Sequence, residues 1–282
     1  MQSIQQRIVE NLPKYSKHQK TLANFIIENL KMMPLLSVNQ VADRAGVSTA
    51  SVVRFSRILG FNGFWEMKQQ LREMLKEELS PLERYKKTLS HKEEYEDSLT
   101  QVANKAIDNI HLSIQQNDLQ EFKHVVNHVR RAENIFCLGM GISHYLAEIL
   151  AYLLKLYMKK AFALNNASQS FPEQIILMSP KDLLFVFSFP PYSRQTIEAA
   201  KQARELNIPV ISFTDKATAP AIEFSEHALI AKTDNILFTN SLGAISILMN
   251  ALVTELALAE PDRVLDGLKK VEEFYADERY FY

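Results

Sequence analysis

Residues 38–57, VNQVADRAGVSTASVVRFSR, constrain the chain more than any other stretch, because small, turn-forming and apolar residues recur where two short helices must cross. Ala42 is small at the crossing point, Gly46 supplies the left-handed backbone of the turn, and Val47, Val52 and Phe55 point back into a core. That pattern is a helix-turn-helix. Ser48 caps the second helix, whose outward face then carries Thr49, Ala50, Ser51, Val53, Arg54 and Arg57. A short helix with a polar and basic outer face fits the major groove of double-stranded DNA, so these residues with Ser48 form the candidate DNA-reading set. A plain helical hairpin with Gly in its turn is the competing reading.

Charge favours the first reading. Residues 1–79 carry eleven Lys and Arg against seven Asp and Glu, a surplus of four positive charges, while the whole chain sums to −1, which leaves −5 for the remainder. Basic charge therefore gathers on the helical part, as phosphate binding needs, and the near-neutral total argues against a general nucleic-acid coat protein. The single Cys137 excludes an internal disulfide framework and any multi-cysteine zinc site, and its apolar neighbours Ile135, Phe136 and Leu138 suit a buried thiol. The amino terminus lacks an apolar targeting segment, and Asn250 and Glu255 break the most apolar stretch, 241–259, so a cytoplasmic protein without a membrane span is expected.

At 282 residues, 47% of them hydrophobic, the chain is long enough for two cores. Ahead of the motif, Leu22, Ala23, Phe25, Ile26, Ile27 and Leu30 fall at helical spacing. Behind it, Phe64, Met67, Leu71, Met74 and Leu75 give an amphipathic helix, with Trp65 expected to help cover the same face. Residues 80–98 turn highly charged and poor in aliphatics, which suits a linker between an all-α domain over 1–79 and a second domain over 99–282. Residues 99–129 read as helical. Five short apolar runs follow, at 134–139, 160–164, 182–189, 209–213 and 227–231, separated by helical patterns such as 145–157 and 196–206. Such alternation predicts a doubly wound five-stranded parallel sheet in an α/β/α sandwich.

In an open parallel sheet, ligands sit beyond the carboxyl ends of the strands. The turn after the first strand reads Gly139-Met140-Gly141-Ile142-Ser143. Its glycines let the backbone approach a ligand, and Ser143 opens a helix whose first amides favour an anion. A dinucleotide fingerprint needs a third Gly at position 144 and an acid after the second strand; His144 and Leu164-Asn165-Asn166 stand there instead, so no nicotinamide cofactor is expected. The turn after the third strand gathers Ser188, Ser193, Arg194 and Thr196, which can hold a phosphate or sugar hydroxyls. Pro190 and Pro191 remove two amide donors from that turn, so a nest of successive N–H groups cannot form around them. For either turn, a structural bend without a ligand is the alternative.

These pieces resemble the RpiR/MurR family of bacterial transcription regulators, which join an amino-terminal helix-turn-helix domain to a carboxyl-terminal sugar isomerase (SIS) domain. The resemblance covers nearly the whole chain and rests on GVSTASVVRFSRILGFNGFWEMK, on GMGIS and on SFPPYSRQTIEAAKQARELNIPVISFTD. It implies that Thr49, Ser51, Arg54 and Arg57 touch DNA. It also implies that Ser143, Ser188 and Ser193 line an effector pocket, at the positions of the family's GxGxS serine and of the first Ser and the Thr of its Ser-x-Ser-Gly-x-Thr loop. The residue reading adds Gly139, Gly141, Arg194 and Thr196 to that candidate set. Pro190 and Pro191 depart from the family pattern, standing where that loop has its second Ser and its Gly. The family further implies homodimers or homotetramers paired through SIS domains.

The expected function is ligand-responsive binding of operator DNA, with a phosphosugar or related sugar metabolite as effector, carbohydrate catabolism genes as targets, and no catalytic residue, cofactor or metal. The rival is an aldose–ketose phosphosugar isomerase with a helical accessory domain, which needs a placed carboxylate base. Glu148, Glu173, Glu198 and Glu226 are available, but the sequence pairs none of them with an acid/base partner. A scaffold that uses the helices for protein contacts would show no salt-dependent DNA binding at all.

Overall fold

The computed structural model describes residues 4–30, 33–34, 36–79, 81–90, 97–157 and 159–277. The chain divides into two compact units, Met1–Lys87 and Thr88–Tyr282.

The first unit is built from α1 (Ile4–Asn11), α2 (Lys17–Glu28), α3 (Val38–Ala45), α4 (Thr49–Ile58) and α5 (Phe64–Leu79). Two capping boxes start α2 and α3: Ser16 pairs reciprocally with Gln19, and Ser37 with Gln40, so the orphan amides of both first turns are satisfied. Ile4, Ile8, Leu22, Ile26, Val41, Val52, Phe55 and Met67 close one core. Arg7 donates to the Leu59 carbonyl at 3.0 Å and Arg72 to the Pro34 carbonyl at 3.1 Å, tying distant backbone ends to this core. Two expectations need correction. Trp65 is 72% exposed, because it stands beside Phe64 and Met67 on the solvent side of α5 rather than on their face. Val53 packs against the core edge instead of facing outward, since it follows the fully buried Val52 by one position. The side chains of Met74 and Leu75 lie outside the described residues.

The stretch read as a linker holds helix α6 (Pro81–Leu89), and the boundary between the units falls inside it; residues 80 and 91–96 lie outside the described residues. The helical run at 99–129 is two helices, α7 (Ser98–Gln116) and α8 (Leu119–Arg131), because Asp118 accepts from the amides of Gln120 and Glu121 and so begins a new helix.

Strands β1 (Ile135–Gly139), β2 (Ala161–Ala163), β3 (Leu183–Ser188), β4 (Val210–Thr214) and β5 (His227–Ile230) form one parallel sheet in the order β2-β1-β3-β4-β5. All six β3 residues are buried, as a central strand covered on both faces requires. On one face pack α8, α9 (Ile142–Leu156) and α12 (Gly243–Ala259), with Val125, Leu146, Leu150, Leu248 and Leu252 meeting Cys137, Phe185 and Phe213. On the other lie α10 (Phe171–Ile175) and α11 (Arg194–Glu205), with Phe171, Ile175, Ala199 and Ala203 against Leu138, Leu184 and Val186. A last helix, α13 (Pro261–Asp277), follows α12. The apolar stretch at 241–259 is thus largely the core helix α12, and no single helix among the described residues is long and apolar enough to cross a membrane.

Candidate functional site

In the helical unit, Gly46 ends α3 with φ 65° and ψ 35°, the left-handed conformation that lets the chain reverse into α4. Ser48 accepts from the Ser51 amide at 3.2 Å, and the two hydroxyls share a hydrogen bond of 2.9 Å. Behind this cap, Val52 and Phe55 are buried, so the 3.6-residue period leaves Thr49, Ala50, Arg54 and Arg57 in solvent. Arg57 also reaches the Asn62 carbonyl at 3.4 Å. A concavity of about 780 Å³ runs beside this helix, lined among others by Ser16, His18, Asp43, Ser48, Ser51 and Arg54. An exposed, capped helix with two arginines beside a trough is the shape a groove-reading element needs.

In the sheet unit, the strand order reverses direction between β1 and β3, and the turns after these two strands both lie at the sheet's carboxyl end. Gly139 has no substitute there. A Cβ on it would lie 2.6 Å from the Ser143 backbone carbon and oxygen, so the strand-to-helix turn closes only with hydrogen at that position. Gly141 caps α9 with φ 60° and ψ −128°, a region almost reserved for glycine. A cleft of about 340 Å³ opens at this turn, lined by Gly139, Met140, Gly141, His144, Tyr145 and the Asn165–Ala167 stretch beyond β2, with Phe171. Asn166 Nδ2 donates to Gln195 Oε1 at 3.3 Å and so bridges the loop after β2 to the start of α11.

The turn after β3 is held from several sides. Thr214 donates to the Ser188 carbonyl at 2.7 Å, and Asn240 donates to the Pro190 carbonyl at 2.7 Å, across 50 residues of sequence. The Pro190–Pro191 peptide is cis. Tyr192 donates its hydroxyl to Asp215 Oδ1 at 2.6 Å, while Lys216 sits 5.6 Å from the centre of its ring. Burial, and then the neighbouring Asp215 carboxylate, push the Tyr192 phenol far above its ordinary range, so it stays a proton donor at any ordinary pH. Ser193 caps α11 by accepting from the Thr196 amide at 3.4 Å. The Ser188 and Thr196 hydroxyl oxygens are buried and have no hydrogen-bond partner among the described residues, an arrangement that costs free energy unless something else satisfies them.

Two protein-family models match this chain: the helix-turn-helix domain of the rpiR family over residues 2–78, and the SIS domain over residues 128–255. The chain joins a helix-turn-helix domain of the rpiR family to a SIS domain. An uncharacterized HTH-type transcriptional regulator of Clostridium perfringens is 27% identical over 270 residues, covering 88% of this chain and 91% of the relative. One from Thermotoga maritima is 24% identical, covering 94% and 95%. The sugar isomerase domain of an RpiR transcription factor from Sphaerobacter thermophilus superposes with a TM-score of 0.60 at 26% identity, over 62% of this chain and 97% of that one. Vibrio vulnificus NanR, solved in complex with ManNAc-6P, shares the fold over 98% of both chains, with a TM-score of 0.65 at 23% identity.

Within this chain, the structure gathers only part of the effector set at one cleft. Gly139 and Gly141 line it; Ser143 is buried in the first turn of α9; Ser188 and Thr196 are buried beneath the turn after β3; Ser193 serves as a cap. The Arg194 side chain is 92% exposed and faces Glu198 at 3.9 Å. Of the four candidate carboxylates, Glu173 is held by the Ser170 amide and hydroxyl at 2.7 Å, and Glu226 lies 3.7 Å from His128. Glu148 stands 3.3 Å from His144, a pairing the sequence reading missed although i,i+4 spacing on α9 offered it. Asn165 and Asn166 were legible too, by applying the strand-end rule to β2. Tyr192, Asp215 and Asn240 meet only through the tertiary fold.

Proposed function

We propose that this chain binds operator DNA through α4 and alters that binding when a phosphosugar or related sugar metabolite occupies the carboxyl end of its sheet. Ser48, Thr49, Ala50, Ser51, Arg54 and Arg57 are the reading set, with the arginines placed for base edges or phosphates. Gly139 and Gly141 line the effector cleft in this reading, Ser143, Ser188, Ser193 and Thr196 belong to the two turns at that end of the sheet, and Arg194, 92% exposed at the start of α11, supplies a guanidinium for a phosphate. The observation that carries this reading is the pair of unpartnered buried hydroxyls, Ser188 and Thr196, under the same strand-order reversal that opens the glycine cleft, on a chain whose other unit exposes a capped, basic helix. A sugar phosphate of the kind bound by Vibrio vulnificus NanR offers both an anion for the amides after Gly141 and hydroxyls for these side chains.

Within the second unit, one segment is tied both to the turn after β3 and to the unit's first residue, Thr88. Asn240 holds Pro190, and four residues earlier the Ile236 carbonyl accepts from Thr88 at 2.7 Å, near the end of α6. A ligand shifts DNA affinity only as far as it binds one arrangement of the chain better than the other. Carbohydrate catabolism genes are the targets this reading expects.

Gel-shift titration on DNA from upstream of the gene and its neighbours, with and without a panel of phosphorylated sugars, free sugars and sugar acids, tests the proposal. Specific, salt-sensitive binding altered by one compound is the expected result; no binding at any salt overturns it.

The His144–Glu148 pair beside the cleft favours a second reading, an aldose–ketose isomerase in which this pair moves a proton between adjacent carbons. Turnover of the same phosphosugar panel, lost in Glu148→Gln, would establish it.

A further inference from the structure

Between α2 and α4 the helical unit leaves a trough whose second wall the reading set does not use. Ser48, Ser51 and Arg54 line it from α4, and Ser16, His18 and Gln19 from the start of α2. The buried side chains of Leu22 and Phe55 form its floor, with Ser16, His18, Ser48 and Arg54 exposed on its rims. Residues 14–20, KYSKHQK, supply that second wall. They carry Lys14, Lys17, His18 and Lys20, all exposed, within a stretch that holds no acid from 11 to 27. Tyr15 fixes this segment to α4: it is 8% exposed, and its ring meets that of Phe55 edge-on at 5.1 Å.

The dimensions of DNA say what such a trough receives. An α-helix with its side chains is about 10–12 Å across and the major groove about 12 Å wide, so a helix seated there has a sugar–phosphate strand against each flank. Whatever stands beside α4 meets one of those strands. An apolar floor between polar rims suits a deoxyribose edge with phosphates on either side. Lysine ammonium groups bind phosphate as point charges, and the His18 imidazole offers at least one N–H donor in either protonation state. Side chains in a helix lean toward its amino end, which carries Lys17 toward Ser16 and the trough's mouth. Ser16 and Gln19 already close the first turn of α2 on each other, so the grip lies with side chains and not with the helix end. Asp43, the one acid among the described residues that line the trough, sits on α3 and repels a phosphate from that side, which leaves the path between His18 and Arg54.

We propose that the trough seats one sugar–phosphate strand of the duplex, and that Lys14, Lys17, His18 and Lys20 grip it from the side opposite α4. The segment reads no base. It holds the duplex in register against α4 and supplies affinity that is the same for every sequence, so preference for an operator stays with the residues of α4. This division of labour rests on the DNA binding proposed above.

Binding of the full chain to two labelled duplexes, one from upstream of the gene and one of equal length and unrelated sequence, tests the grip across a salt series. The triple variant Lys14→Gln, Lys17→Gln, Lys20→Gln is expected to lose affinity for both duplexes by the same factor, about 10- to 100-fold near physiological salt. Its plot of log affinity against log salt is expected to be shallower by about 2–3, with the parental circular dichroism spectrum. A folded triple variant with parental affinity and salt slope, or with a loss confined to the upstream duplex, overturns the inference. Should the triple variant not fold, Lys17→Gln and His18→Glu decide by the same two readouts: a uniform loss with a shallower slope upholds the grip, and a parental slope overturns it. A parent that binds neither duplex sinks the proposed regulator itself. A parent whose steep salt dependence survives these changes sinks only the strand grip.

Discussion

Asn117 closes both backbone groups of Ile230: its Oδ1 accepts the Ile230 N–H at 2.8 Å, and its Nδ2 donates to the Ile230 carbonyl at 2.7 Å. One turn earlier on α7, Ser113 accepts from the Lys232 amide at 2.8 Å, and one turn before that Asn109 donates to the Asp234 carbonyl at 2.7 Å. Four helical residues rise about 6 Å and two extended residues about 6.6 Å, so a polar stripe of period four meets an extended segment of period two almost in step. The outward backbone groups of Ile230 at the end of β5 are thereby satisfied, and the segment after β5 is tied to α7. Asn117→Ala strands two backbone groups and is expected to cost about 1–3 kcal/mol. Thermal unfolding reads the loss, and faster hydrogen exchange at the Ile230 amide places it.

Gly139→Ala is expected to destabilise the sheet unit by about 1–3 kcal/mol, because the new methyl group must displace the Ser143 backbone rather than a flexible side-chain end. Denaturant titration checks it, with Gly63→Ala, where a Cβ meets nothing within 4 Å, as the comparison. Equal stability of the two variants would show that the α9 turn shifts freely.

Arg54 projects from α4 into solvent beside the trough. Arg54→Ala is expected to lose about 1–3 kcal/mol of operator affinity and to relax discrimination at one base pair if the guanidinium reads a base edge. A uniform loss across all sequences, with a shallower salt dependence, would assign it to phosphate instead.

His128 links stability to pH. It faces Glu226, His227, His124 and Arg131, and its ring lies 5.0 Å from that of His227, which in turn holds Glu121 at 2.8 Å. Burial first, then the positive charges of His227 and Arg131, lower its pKa, against the pull of Glu226. A histidine depressed in the fold binds its proton more readily when unfolded, so its contribution is complete above about pH 6.5 and is lost as pH falls through the lowered value. Urea midpoints between about pH 7 and pH 5 should fall more steeply for the parent than for His128→Gln. Equal slopes would show that other groups carry the acid sensitivity.

The helix-turn-helix was legible in residues because its signals are local: a cap, a glycine at positive φ and apolar positions spaced by the helical period each act within a few residues. The five strands were legible for a similar reason, since runs of buried β-branched and aromatic residues have few other places to go. Trp65 escaped that logic, because a large ring can stay in solvent when its neighbours Phe64 and Met67 already fill the core face. Tertiary structure alone decided what surrounds the turn after β3. Asn240 reaches Pro190, Tyr192 reaches Asp215, and Asn117 reaches Ile230 across gaps that no periodicity spans, because hydrogen bonds between distant segments depend on where packed layers bring their ends.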